Sequence, residues 1–435
     1  MMTTLTMPPT CGMTHEIIAR ESQGRTYDFV TGAMPAGMVF SRGSSGALWQ
    51  ASILTKSAAN LSRFDQHPAG SSRGLLMEQG ATNYFRATNA ANNAWWLKFG
   101  ATVAAADKVA PDGTTSMCKS TEAATTGTHV AIYKSLTVTA GNYWVMSTYV
   151  AYAGRKNLRV KARSSSFTNR VWADFDVQAG TYVASGVAGT GVLNGYGIEA
   201  TAIAGVYRVW VAGRTSATDT SVTFEFDFAD NAWSESYTGD GASGMHFWGM
   251  NLTQGTLDDM LTSYIENTGT AADVTRASDV MSVTNLATMG FNPTQGTLVV
   301  EFMVGSTGAL SNSHRIAEFY LDSNNRMMVT YNPTNTSSKI GINNYVGGVA
   351  VSAIVAGTAV TPLTVNRVAI SYDAGIMSAS VNGGAVTSAA ITGLGTWTQM
   401  SLGRSASGAY GLNGWVRRAI YYPTSNLNLQ QLSGV

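Results

Sequence analysis

Glu225, Asp227 and Asp230 stand in the run Glu-Phe-Asp-Phe-Ala-Asp. In an extended strand Glu225 and Asp227 share one face, and retaining glycoside hydrolysis needs two carboxyls about 5 Å apart. The third position is Asp, one methylene shorter than Glu. The alternative is a solvent-facing strand with alternating polar residues. A second chemistry is sugar binding, in which a ring stacks its C–H face on Trp or Tyr while Asn, Asp and Gln bond its hydroxyls. The candidates are Trp144, Trp172, Trp233 and Trp248, with Asp174 and Asp176 on the Trp172 face. Further along they are Tyr345, Trp397, Tyr410 and Trp415, near Asn343, Asn344 and Asn413. Against this stands the core or subunit interface, where large aromatics also collect. Trp233 sits in a polar loop and is expected to be the least committed to a core.

Other chemistries are thinly represented. His15-Glu16 begins an HExxH pattern, but Ala19 occupies the second ligand position. His67, His129, His246 and His314 are scattered singly. No catalytic residue and no metal ligand is assigned. No cofactor is expected beyond a structural calcium, for which the loops 237–241 and 107–112 offer oxygen ligands. Cys11 and Cys118 are the only cysteines and neither lies in a CxxC pair. No GxSxG elbow is present. Arg155, Lys156, Arg159, Lys161 and Arg163 form the densest basic cluster. Arg159, Lys161 and Arg163 would share a strand face, able to meet an acidic polysaccharide or protein. The alternatives are a solvated face and edge-strand protection.

These residues need strands to position them. Hydrophobic residues make up 45% of the 435, charged residues 12%, and the net charge is +1. That excludes a binder relying on a broad basic field, so no nucleic acid partner is expected. It also excludes a disordered chain. No apolar run is long enough for membrane insertion, and residues 1–11 do not read as a signal peptide, so synthesis in a reducing cytoplasm is expected. Period-two alternation dominates: Val222, Phe224, Phe226 and Phe228 should point inward, and Thr223, Glu225 and Asp227 outward. Asn382-Gly383 reads as a hairpin turn. Helical spacing is confined to 256–264 and 426–432. The fold class is all-β: two antiparallel β-sandwich, jelly-roll domains after an irregular N-terminal segment. The divisions are 1–94, 95–270 and 281–435, with 266–279 as a polar linker.

Several segments carry a resemblance. Residues 61–83 (LSRFDQHPAGSSRGLLMEQGATN), 96–115, 237–279 and 412–432 resemble a family of modular bacteriophage virion proteins. In that family a carbohydrate-binding-module-like jelly roll precedes a concanavalin A-like, laminin-G-like domain. The resemblance implies a virion structural protein, a tail fibre, appendage or capsid decoration. It implies docking to other virion proteins and a homo-oligomer, a trimer being usual for phage fibres. A cell-surface polysaccharide is the further partner it suggests. Residues 1–34 match nothing in the family and are expected to dock to the particle. The Glu225 run is a near miss to the ExDxxE strand motif of concanavalin-fold glucanases. A tail-spike polysaccharide depolymerase using Glu225 and Asp227 is therefore one alternative. A spacer or cement without sugar binding is the other.

Overall fold

A computed structural model describes residues 24–67, 70–255, 261–305, 314–332, 337–373 and 375–435. The chain is all-β and its named strand pairs are antiparallel. In Ser221–Ala229 the alternation is realised, with Val222, Phe224, Phe226 and Phe228 in the core. The turn at Asn382-Gly383 has φ of 50° and 72°, the positive pair that a type I′ hairpin needs. A short helix, Leu429–Ser433, falls at the C-terminal helical signal. The other helical signal lies partly outside the described residues, and 261–264 are not helical. Among the described residues no helix is long and apolar enough to cross a membrane.

The first sandwich pairs two six-stranded sheets. One runs Val192–Ala200, Val206–Arg214, Tyr143–Ala153, Gly244–Gly255, Thr115–Glu122, Ala101–Val109. The other runs Thr181–Ala188, Arg170–Asp176, Asn157–Ser164, Ser221–Ala229, Val130–Thr137, Leu97–Phe99. Between them lie Phe175, Phe224, Phe226, Phe228, Met146 and Phe247.

The second sandwich is assembled from both ends of the chain. Gly414–Tyr422 is flanked by Gly296–Val304 and, from the N-terminal region, by Ser72–Met77 and Arg25–Asp28. Its facing sheet takes Val39–Ser41 beside Val280–Val283. Tyr27, Phe29, Leu75 and Met77 are buried in its core. Over the described residues 24–67 and 70–94, this corrects the expectation of an irregular segment. Those strands find their partners roughly 240 to 400 positions away, so they leave little local pattern to read. Gly74 permits the approach: at φ +104° a Cβ there would lie 2.5 Å from the Val416 carbonyl oxygen.

The expected linker is corrected as well. Val274–Arg276 pairs with Ala81–Asn83, and Arg276 and Asp279 enter a buried ionic knot. Arg276 Nη1 and Arg63 Nη1 both donate to Glu78 Oε2, at 2.6 and 2.5 Å. Arg63 Nη2 donates to Asp279 Oδ2, and Arg42 Nη1 to Asp279 Oδ1 at 3.1 Å. Burial alone would raise the Glu78 carboxyl, but Arg276 and Arg63 outweigh it and hold it at about 2. Charges taken out of water need this degree of mutual pairing. The segment between the sandwiches is therefore pinned by Arg276 and Asp279, while residues 268–275 stay exposed.

Candidate functional site

The outer face of the Tyr143–Ala153 sheet meets the N-terminal hairpin and the second sandwich. Val145, Trp210 and Ala212 join the second core, while Tyr149 and Trp248 pack against Ala47 and Leu54. Between these contacts a cleft of about 650 Å³ remains, lined by Trp49, Asp65, Arg73, Tyr149, Arg208 and Trp415 among others. Clefts between packed domains are where ligands usually bind.

The N-terminal strands set the geometry of this cleft. Gly46–Gln50 and Ile53–Ser57 form a hairpin whose turn residues, Ala51 and Ser52, both have positive φ. Neighbouring side chains hold this strained turn: Gln66 Oε1 accepts from Ala51 N at 2.7 Å and Asp65 Oδ1 from Trp49 N at 2.6 Å. The other Asp65 oxygen accepts from Trp415 Nε1 at 2.8 Å. Burial raises the Asp65 carboxyl to about 6, opposed by those two donors and by Arg73. The Arg73 guanidinium lies 4.7 Å from the Trp415 ring centroid, within cation–π range. Arg208 reaches over Tyr149 at 5.8 Å and donates to the Thr262 carbonyl at 2.6 Å. Trp49 is half-buried and meets Tyr149 edge-on at 6.5 Å.

Of the aromatics singled out from sequence, Trp415 lies on this cleft and Trp248 on a neighbouring cavity of about 470 Å³. Trp248 is 2% exposed, packed on Tyr264 and Tyr149, and its Nε1 has no hydrogen-bond partner among the described residues. Two candidates are corrected. Trp144 is 2% exposed within the first core, and Trp397 is 5% exposed and stacked on Phe319 in the second. No ring face remains there for a sugar. Trp172 is half-buried, flanked by the Arg159 and Arg170 guanidiniums at 5.6 and 5.5 Å. Asp174 is buried against Arg159 at 2.7 Å. Trp233 is half-buried at φ +64° in a loop that Asp230 ties to Ala232 N and Ser234 N. Tyr345 is half-buried, 5.3 Å from the Arg326 guanidinium. These candidates are dispersed over several faces, not gathered in one.

Trp49, Asp65, Arg73, Tyr149 and Arg208 were not among the sequence candidates. A signal existed for two of them. Asp65 and Arg73 fall within 61–83, an ionic segment in a chain poor in charge.

Glu225 and Asp227 do share the outer face of their strand, but Lys161 Nζ binds both, at 3.0 and 2.6 Å, and Glu235 at 2.8 Å. Asp227 is fully buried, and burial pushes its carboxyl up against the pull of Lys161. Arg163 pairs with Glu225, and Arg159 with Asp174 and Glu235. Arg159, Lys161 and Arg163 are thus matched by acids of their own sheet and of the loop above it, and Arg155 by Glu122 of the facing sheet. In the loops considered for calcium, Asp240 accepts from Ala242 N and Ser243 N, and Asp107 pairs with His246. Among the described residues no three His, Cys, Asp or Glu side chains are grouped to hold a metal ion. Cys118 is buried; Cys11, His15 and Glu16 lie outside the described residues.

No family model matches the chain, and no curated protein does. Among solved structures it is similar to the CBM40 of a Ruminococcus gnavus IT-sialidase bound to α2,3-sialyllactose, at 15% identity and TM-score 0.29, covering 33% of this chain and 84% of that one. It is similar to domain 4 of AbnA, a GH43 arabinanase of Geobacillus stearothermophilus in complex with arabinotriose, at 11% identity and TM-score 0.29 over 40% and 80%. It is also similar to mouse laminin α1 domains LG4-5, at 8% identity and TM-score 0.23 over 70% and 88%. At these TM-scores the likenesses carry no statement about this chain's ligand.

Proposed function

We propose that this chain is a non-enzymatic glycan-binding protein whose site is the cleft between its two sandwiches. The observation that carries the reading is the Trp415–Asp65–Trp49 arrangement. One carboxylate fixes an indole from the last strand and the backbone of the strand bearing a second indole, in a cleft that also holds Tyr149, Arg73 and Arg208. Apolar ring surface beside a few placed polar groups is what a saccharide site requires. The commitment of Glu225 and Asp227 to Lys161 supports the absence of hydrolytic chemistry. The setting, an oligomeric appendage or decoration on a phage particle docked to other virion proteins, rests on the sequence segments quoted above. The docking role expected of residues 1–34 falls mostly on residues outside the described ones.

A glycan-array screen of the purified chain, with calcium and with EDTA, tests this reading. A defined sugar hit that Trp49→Ala weakens without lowering the melting temperature supports the cleft. A hit unaffected by Trp49→Ala moves the site elsewhere. No hit from folded protein leaves spacer or cement. Release of reducing ends from a bound polysaccharide, abolished by Glu225→Gln, would replace this reading with the depolymerase.

A further inference from the structure

The arginines of this chain divide by what neutralises them. Arg159, Arg163, Arg155, Arg367, Arg417 and Arg418 each have a carboxylate within 4 Å. Arg73 and Arg208 do not, among the described residues, and both line the same cleft. Arg73 sits over Trp415, and its Nε is buried without a hydrogen-bond partner. Arg208 spends Nη2 on the Thr262 carbonyl and Ser147 Oγ, and its Nε is likewise buried and unpartnered. Burial penalises the Arg73 guanidinium, and the charges of Asp65 and Glu199 offset this from beyond contact distance; with no carboxylate within 4 Å, its fork is left open to a contacting anion.

The acids around them are largely committed elsewhere. Asp65 gives one oxygen to Trp49 N and the other to Trp415 Nε1. Glu78 is taken by Arg63 and Arg276. Glu199 remains on the wall, directly across the strand pair from Arg208. Arg417 is held by Glu301. The cleft therefore offers two planar donors, Arg73 from the second sandwich and Arg208 from the first, together with the half-buried ring of Trp49.

Resting on the reading of the cleft as a glycan site, we infer that its ligand is an acidic carbohydrate. The sugar carboxylate lies between Arg73 and Arg208, and a ring lies against Trp49. A planar guanidinium matches a carboxylate in two parallel hydrogen bonds, which a neutral hydroxymethyl group cannot supply. Glu199 accepts from a ring hydroxyl and disfavours a second negative charge beside the first. A nucleic acid strand is a poorer fit in a chain of net charge +1.

The test is calorimetric titration of the full chain. The probes are oligogalacturonate, hyaluronan oligosaccharide and oligosialic acid, each against its methyl ester, with oligoglutamate as a carboxylate without rings. At least one acid is expected to bind tenfold or more tightly than its ester, with an affinity that falls as salt rises. Arg73→Gln should bring that acid down toward its ester. If this variant is unfolded by circular dichroism, Arg73→Lys, which keeps the charge but not the fork, should give an intermediate loss. The acid-to-ester ratio of the unaltered chain decides in either case. Equal binding of acid and ester would overturn the acidic assignment while leaving the glycan site standing. Binding of oligoglutamate as tight as the best acid would make this a site for acidic peptide. Binding of none of the probes overturns the acidic assignment; if neutral glycans also fail on the array, the cleft reading falls with it.

Discussion

Trp415 Nε1 donates to Asp65 Oδ2 across 2.8 Å and 350 positions of sequence. The bond joins the last strand of the chain to one of its first, and it places the indole under Arg73. Trp415→Phe keeps most of the ring and removes the donor. A buried acceptor left short of a partner costs roughly 1–3 kcal/mol. Urea denaturation should show that loss, and glycan affinity should fall with it.

The same carboxylate makes a pH prediction. Asp65 is raised from 3.8 to about 6, chiefly by burial. The folded chain therefore holds this proton more tightly than the unfolded chain does. The contribution is favourable to folding at low pH and is lost as pH rises from about 4 through about 6, by an amount on the order of 3 kcal/mol. Glu78, held at about 2, acts in the opposite sense below pH 4. The difference between the unaltered chain and Asp65→Asn isolates the Asp65 part. Chemical denaturation from pH 3.5 to 8 should give a difference curve confined to that window.

Among the described residues Lys161 is the sole cation paired with Asp227 and one of two paired with Glu225, and it is 6% exposed. Removing one partner of a buried ionic group costs roughly 3–5 kcal/mol, because the remaining charges lose their compensation. Lys161→Met should show a loss of that size at neutral pH and a smaller one in acid, where Asp227 takes up a proton. An equal loss at both would mean that packing by the lysine stem, and not its charge, is what matters.

Gly74 has no room for a side chain beside the Val416 carbonyl and adopts a left-handed φ. Gly74→Ala combines a strained backbone, about 1–3 kcal/mol, with a steric clash. It should lower the melting temperature and loosen Ser72–Met77 in hydrogen exchange. Glycan affinity should fall too, since Arg73 is the adjacent residue.

Deleting residues 1–34 removes Tyr27 and Phe29, both buried, and the strand Arg25–Asp28. At about 2–3 kcal/mol per large apolar side chain, the deletion should cost at least about 4 kcal/mol. Deletion of 1–23 spares these residues. A docking assay on virion assembly therefore needs the shorter deletion, and comparing the two melting temperatures checks the boundary.

Local chemistry explains what could be read in advance. The alternation of Val222, Phe224, Phe226 and Phe228 with Thr223, Glu225 and Asp227 is written along a single strand, and the structure has its inward half; the three polar residues take the other face but are buried there rather than facing solvent. So is the Asn382-Gly383 turn. The cleft is another matter. Trp49, Asp65, Arg73, Arg208 and Trp415 come from five different strands, and their meeting depends on pairings that no local spacing encodes. Single tryptophans misled for the same reason. Trp144 and Trp415 look alike in sequence, yet one faces Phe224 inside a core and the other faces a cleft.

The first sandwich lies, in sequence, between strands that belong to the second. A nascent chain completes Gly244–Gly255, the last strand of the first sandwich, well before Gly414–Tyr422 exists. Arg25–Asp28 and Ser72–Met77 must wait for that strand. At roughly 5–20 residues per second the wait is on the order of tens of seconds. During it Tyr27, Leu75 and Met77 have no core to enter. The cleft, whose walls come from both ends of the chain and from the first sandwich, is therefore among the last features to form on the ribosome.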